Sequence, residues 1–307
     1  MILERHPFTG FRLVAGLLLT GIFHPAFCQT IKPGLPGMAS SKWISVSNTH
    51  APKRSYQAFG SLSNIYTQED FFFKFRVPVL HKPNHAIVLT ANYRTEQLEY
   101  KDAGDNPLHL LSSWNLRSIG VDLKSVLKLN TTSWLISGVH VNQSGNLRDS
   151  PKPIPLNYTF STLYLEKKSD TKEVGMGIIT NIGFDRVVFL PVLVFNYTYS
   201  SKGGIEISLP RKIAWRYNLS STDILYIKSE TAARGYYIYA DNYEAIFRRT
   251  DIDNGIAYNK QINKLIGVEA FGGYRVNIGG RLPQEVVPVK QSGFVFSVEL
   301  FCLSPFK

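Results

Sequence analysis

The sequence has almost no cysteine: Cys28 and Cys302 are the two in 307 residues. Cys28 closes a cleavable leader described below, so an internal disulfide framework is excluded. Stability must come from a large core or from closed sheet pairing. Charge is sparse too. Asp, Glu, Lys and Arg make up 19% of the chain, below the roughly 25% of soluble domains. Beyond the leader no apolar run approaches the roughly 20 residues of a membrane-spanning helix. Segments with apolar residues at i, i+3, i+4 and i+7 are missing as well, which argues against a helical bundle.

The residues that usually carry catalysis are few. Histidine beyond the leader is limited to His50, His81, His85, His109 and His140. No Gly-x-Ser-x-Gly elbow, no His-Glu-x-x-His and no phosphate-binding glycine loop occurs. His81 and His85 flank Pro83 and read as exposed turn residues. His140 lies near Ser137 and Ser144, too common an arrangement to define a dyad. Asp251, Asp253 and Asn254 ahead of Gly255 look like the start of a calcium loop. The bidentate glutamate such a loop needs does not follow, so the segment reads as a polar loop. No catalytic, cofactor-binding or metal-ligating residue is assigned, and the chain is read as a non-enzyme.

What is present begins with an export signal. Arg5 and Arg12 form a positive start, Leu13 to Phe23 is nearly all apolar, and Ala26-Phe27-Cys28 places small residues at the positions a signal peptidase reads. Cleavage is expected between Cys28 and Gln29. The apolar stretch is too short for an anchor, and Pro25 and Phe27 argue against lipidation at Cys28. Removing Arg5, Arg12 and Glu4 lowers the formal net charge of +11 by one. The expected organisation is a signal peptide over 1–28, a periplasmic leader over 29–54 containing Lys32-Pro-Gly-Leu-Pro-Gly37, and a single β domain over 55–307.

From about residue 55 the dominant period is two. Phe73, Phe75, Val77 and Val79 oppose Lys74 and Arg76. Ile87, Leu89, Ala91 and Tyr93 oppose Arg94 and Glu96. Ile213, Trp215 and Tyr217 oppose Lys212 and Arg216. Several segments exceed ten residues, against about 5–6 for strands of soluble sheets, and a tilted membrane strand needs about 9–11. Short turns near 82–84, 130–132, 169–171, 201–203, 220–222 and 260–263 alternate with connections that include the longer ones at 101–113, 148–156 and 279–292. That alternation predicts an all-β, antiparallel up-and-down transmembrane barrel of about 14 strands. If Gly204 to Leu209 is too short to count, the number is about 12. A soluble sandwich or jelly roll is the competing fold, since Phe189 to Tyr199 is apolar on both faces.

The charges choose the inner face. A Lys or Arg facing lipid at mid-bilayer costs roughly 2–4 kcal/mol. The residues expected to face the lumen are therefore Lys74, Arg76, Arg94, Glu96, Lys212, Arg216, Lys228, Glu230, Glu244, Arg248, Glu269 and Arg275, together with Glu206 and Glu299. Interspersed signs fit cross-strand ion pairs that fill the interior. They also fit a basic lumen that favours anions. Trp114, Trp134, Tyr158, Tyr197, Tyr199, Tyr236, Tyr237 and Tyr239 fall near strand ends, as headgroup-level girdles require.

The last segment, Gly293 to Leu303, alternates Phe294, Phe296, Val298 and Leu300 with Ser297 and Glu299. It resembles the terminal strand by which outer-membrane proteins are recognised by their insertion machinery, although Lys307 follows Phe306 where an aromatic residue is usual. Between 174 and 239 the positions Val174-Gly-Met-Gly-Ile178, Leu190-Pro-Val-Leu193, Phe195-Asn-Tyr197, Leu209-Pro210, Arg216-Tyr-Asn218 and Tyr236-Tyr-Ile238 are similar to an uncharacterised family of Gram-negative outer-membrane barrels, a domain of unknown function. The resemblance implies fold and bacterial outer-membrane location and transfers no site residue. Expected partners are outer-membrane lipid, lipopolysaccharide phosphates at Lys101, Arg148, Lys152 and Arg281, the insertion machinery, and a small solute. Nucleic acid is not expected, because the basic residues are scattered along strands. The functional expectation is passage of small solutes through a narrow or partly occluded basic lumen. The alternative is a barrel that transports nothing, with Val188, Leu190, Phe271 and Tyr226 plugging its interior.

Overall fold

The structure is a computed structural model that describes residues 33–58, 61–101, 115–184, 186–240, 243–281 and 290–303. The expected signal peptide, most of 101–113, part of 279–292 and Phe306-Lys307 lie outside the described residues. The strands are β1 Lys42–Ala58, β2 Ser61–Lys82, β3 His85–Lys101, β4 Leu116–Lys128, β5 Ser133–Gly145, β6 Leu156–Ser169 and β7 Lys172–Ile182. They continue as β8 Val187–Thr198, β9 Gly203–Leu209, β10 Lys212–Asn218, β11 Asp223–Ala240, β12 Tyr243–Gln261, β13 Ile266–Arg281 and β14 Lys290–Leu303. Each pairs antiparallel with its chain neighbours, and β1 pairs with β14, closing a 14-stranded barrel. The alternative count of twelve is set aside because β9 and β10, at 7 residues each, pair fully with their neighbours. The first strand starts at Lys42, ahead of the expected start near 55. There Ile44 and Val46 alternate with Ser45, which is buried.

Six tight turns share one rim with the start of β1 and the end of β14 (the turn rim). Side chains cap them. Asn130 Oδ1 accepts from the amides of Thr132 and Ser133 at 2.9 and 2.8 Å, and Asn263 Oδ1 accepts from Leu265 and Ile266 at 2.8 Å each. Such local bonds imitate a backbone turn and let two strands reverse within a few residues. The opposite rim (the loop rim) carries the connections at 146–155 and 183–186 and the Pro210-Arg211 turn.

The outer face is an apolar belt. Phe71, Leu89, Val121, Leu123, Ile178, Phe189, Ile227 and Phe296 all point outward and are exposed. That is the face a barrel turns to lipid. Toward the turn rim, Tyr197 and Tyr199 at the end of β8 and Trp215 and Tyr217 on β10 flank β9, and Trp215 Nε1 donates to Tyr199 OH at 2.7 Å. Two of the expected girdle residues are instead interior: Trp134 and Tyr236 are buried to 1% and 2% exposure.

Toward the loop rim β1–β3 and β11–β13 outrun the belt, and the pattern inverts. On β12 Glu244 pairs with Tyr239 and Arg248 with Gly235 on the outer face, while Ala245, Phe247 and Arg249 are buried. Beyond the belt the outer face need not be apolar, so Glu244 and Arg248 turn outward while Ala245 and Phe247 turn inward beside Arg249. β9 and β10 do not reach this level. Above them β11 crosses to β5 and pairs at Tyr237↔Gly145, and Asn146 exchanges two hydrogen bonds with the Tyr239 backbone at 2.6 and 3.1 Å. Gly145 permits the approach, because a Cβ there would collide with the Tyr237 carbonyl. Gly145→Ala is expected to lower stability by about 1–3 kcal/mol, read as an earlier denaturation midpoint.

Candidate functional site: the barrel interior

Two layers of side chains occupy the lumen. The layer nearest the turn rim is built on the segment ahead of β1. The Gly34 amide donates to Glu173 Oε1 at 2.8 Å, and Arg216 and Thr198 reach the Pro36 carbonyl at 3.5 and 3.4 Å. Gly37 lies against the Arg216 guanidinium with φ of 80°, a left-handed conformation that glycine adopts without strain. The leader thus packs inside the mouth against β7–β11, and Glu173, Asn196, Glu206 and Arg216 are buried beneath it. Arg216 and Lys212 bind Glu206 at 3.3 and 2.9 Å. Nearby, Lys42 meets Glu269 and Glu299 at 2.8 and 2.6 Å, and Lys228 meets Glu269 and Glu230 at 2.9 and 3.1 Å. Tyr226 packs with Ala214, Ala257 and Phe271, filling the β10–β13 side.

The layer at the loop rim is a transverse charge network. Arg94 and Arg234 bind Asp70 at 2.8 and 2.6 Å. Glu96, with no exposed surface, accepts from Tyr236 OH at 2.6 Å, from Gln68 at 2.6 Å, from Arg234 at 3.3 Å and from Arg249. Arg249 also meets Asp251 at 2.7 Å, and Arg275 grips both oxygens of Asp253 at 2.6 Å and reaches Gln68 at 2.8 Å. The network joins β2 and β3 to β11, β12 and β13 through the interior. Among the described residues Arg94, Arg234, Arg249 and Arg275 are matched one for one by Asp70, Glu96, Asp251 and Asp253, so the network as described is neutral, and it crosses the interior.

Between these layers lies an open chamber. Lys124 and Leu190 point inward and are nevertheless exposed. Lys74, Arg76 and Lys124 come from β2 and β4, and Arg211 from the β9–β10 turn. They are close enough to act on one another electrostatically. None of the four is ion-paired with a carboxylate among the described residues, unlike Lys42, Arg216, Lys228 and Arg275. The β7–β8 side of the chamber presents Ile179, Val188, Leu190 and Val192. His140 Nδ1 lies 2.9 Å from Asp122, which also accepts from Asn92 at 3.0 Å. Ser144 bonds Ser118 and Asn142 instead, at 2.6 and 2.7 Å.

Of the charges expected inside, Lys74, Arg76, Arg94, Glu96, Lys212, Arg216, Lys228, Glu230, Glu269 and Arg275 face the lumen, as do Glu206 and Glu299. Glu244 and Arg248 do not, because they lie in the watered extension where the pattern inverts. Asp251, Asp253 and Asn254 are not a loop. They sit mid-strand in β12, with both aspartates turned inward onto arginines. Asp70, Lys124, Arg211, Arg234 and Arg249 were not singled out from sequence. Strict alternation along β2, β4 and β11 marks Asp70, Lys124 and Arg234, whereas Arg211 in a turn and Arg249 beside another arginine carry no such mark.

The fold defines a closed 14-stranded transmembrane β-barrel whose interior carries charged side chains. Residues 156–280 match the family described as a domain of unknown function (DUF6268), a span that contains the 174–239 stretch carrying the resemblance. No curated protein matches the chain. Among solved structures, an outer membrane channel from Pseudomonas putida F1 is 11% identical, with 89% of this chain and 100% of that chain covered and a TM-score of 0.48. A KdgM porin in complex with disordered oligogalacturonate is 9% identical over 83% and 97%, with a TM-score of 0.34. A TodX monoaromatic hydrocarbon channel deletion mutant is 7% identical over 85% and 89%, with a TM-score of 0.40.

Proposed function

We propose that the protein is a bacterial outer-membrane barrel, exported by its N-terminal signal and inserted through its terminal strand β14, that admits small anionic solutes to a basic chamber. The observation that supports this reading most is the set of four cations, Lys74, Arg76, Lys124 and Arg211, which form no ion pair with a carboxylate among the described residues. Asp122 and Glu299 act on members of the set without pairing with them, so the cations still repel one another, and an anion that joined them would relieve that repulsion. Outward Phe294, Phe296, Val298 and Leu300 give β14 the face an insertion machinery would read. Arg148 and Lys152 at the loop rim would be the contacts for lipopolysaccharide phosphates.

In planar bilayers, deletion of residues 33–37 is expected to raise conductance severalfold, with anions preferred over cations. Lys74→Glu combined with Lys124→Glu is expected to reverse that preference. A second reading, a barrel that transports nothing, is favoured by the two closures. Silence of both the full-length and the leader-trimmed protein would establish it over the first.

A further inference from the structure

We propose that single-chain anionic amphiphiles pass between the chamber and the surrounding bilayer through an opening in the wall between β8 and β11. The inference rests on the basic chamber described above and adds a substrate class and a route. β9 pairs with β8 no higher than Leu209↔Leu193, so 187–192 has no strand on that side. β10 pairs with β11 no higher than Lys212↔Glu230, followed by one bond from the Thr231 amide to the Arg211 carbonyl at 2.8 Å. Residues 232–236 of β11 then have no strand on that side until Tyr237 meets Gly145. Two strands are missing between these edges. At roughly 4.8 Å per strand spacing, the edges stand about 14 Å apart just above the Pro210-Arg211 turn. They are drawn together at the top, where Phe184 and Tyr237 make an edge-on ring contact at 5.3 Å.

Unpaired strand edges are tolerated at membrane depth where they line a cavity rather than face hydrocarbon. This gap does line one. Its β8 edge is apolar on both sides: Val187 and Phe189 are exposed outward, and Leu190 is 39% exposed inward. Its sill is the β9–β10 turn, whose Arg211 belongs to the cation set with Lys74, Arg76 and Lys124. An apolar gap that ends on unpaired cations is complementary to one hydrocarbon chain with an anionic head. The axial alternative is obstructed by the neutral charge network toward the loop rim and by the leader toward the turn rim, which makes the wall the shorter way out.

The test is calorimetric titration of the protein in lipid nanodiscs, with empty discs as reference, using dodecanoate, butanoate and dodecanol. Saturable binding of dodecanoate is expected, roughly a hundredfold tighter than butanoate, as burial of about four methylenes supplies. Dodecanol is expected to show no saturable binding. Arg211→Ala with Lys124→Ala should weaken dodecanoate about tenfold or more, and Leu190→Asp should shrink the dodecanoate-to-butanoate ratio severalfold. Each variant is first checked for the mobility difference between boiled and unboiled samples on a gel, so misfolding is not mistaken for lost binding. Equal affinity for both anions, with no response to Leu190→Asp, would overturn the wall route while leaving the anion chamber standing. Dodecanol binding as tightly as dodecanoate would overturn it by removing the role of the cations. Absence of binding by either anion would overturn both this route and the chamber.

Discussion

Replacing Glu96 with alanine is expected to cost about 3–5 kcal/mol of stability, the loss typical when one member of a buried ion pair is removed. Glu96 is the hub of the loop-rim network. It has no exposed surface and accepts from Tyr236, Gln68, Arg234 and Arg249. Without it Arg249 keeps Asp251 and Arg234 keeps Asp70, but Tyr236 and Gln68 lose an acceptor in a place that water does not reach. The destabilisation is read as the denaturant midpoint of the heat-modifiable band, and loosening of the network should appear as higher conductance once the leader is removed. Glu244→Ala is the control. Its carboxylate lies on the outer face and is half exposed, 3.5 Å from Lys152, and such surface changes fall within about 0.5 kcal/mol. Equal losses for the two variants would mean that the network adds nothing beyond surface pairing.

A charge moved by one residue on β4 should show the sidedness of the wall. Leu123 points outward in the belt and is 48% exposed. Leu123→Arg places a guanidinium in lipid and is expected to cost about 2–4 kcal/mol near mid-bilayer. Lys124, next along the strand, already faces the chamber beside Arg76 and Arg211. Lys124→Gln removes a repelled cation and is expected to leave unfolding free energy unchanged or slightly higher. Comparable losses from the two would contradict the assignment of inner and outer faces.

The parts of this protein legible in its sequence are those set by one uniform environment. Along the belt, lipid outside and polar side chains inside impose a strict period of two. The faces of Lys74, Arg94, Arg216 and Arg275 therefore followed from parity alone. Where the strands leave the belt the outer solvent becomes water, and parity loses its meaning. Glu244 and Arg248 then look like lumen residues, and Tyr236 looks like a girdle residue. The leader was legible as a Pro/Gly segment but not as an occupant of the mouth, because its bond from Gly34 to Glu173 joins residues 139 positions apart. The same holds for the wall opening. Short β9 is visible as a weak stretch before Pro210, but that β11 would bridge to β5 above β9 and β10 is a matter of closure that no local pattern encodes. Most of the connection 101–113 and the C-terminal Phe306-Lys307 fall outside the described residues.

The neutrality of the loop-rim network bears on ionic strength. Its described carboxylates and guanidiniums are matched, and Asp70, Glu96, Arg249, Asp251 and Arg275 are nearly out of contact with solvent, so dissolved salt has little field to screen there. The chamber cations are all of one sign, and Lys124 and Arg211 are exposed. At about 1 M salt the Debye length shrinks to roughly 3 Å, which strips the chamber of its pull on anions while the network stays shut. Salt therefore acts on one layer of the lumen and not on the other, and the closure of the barrel and its attraction for anions become separately adjustable in the same molecule.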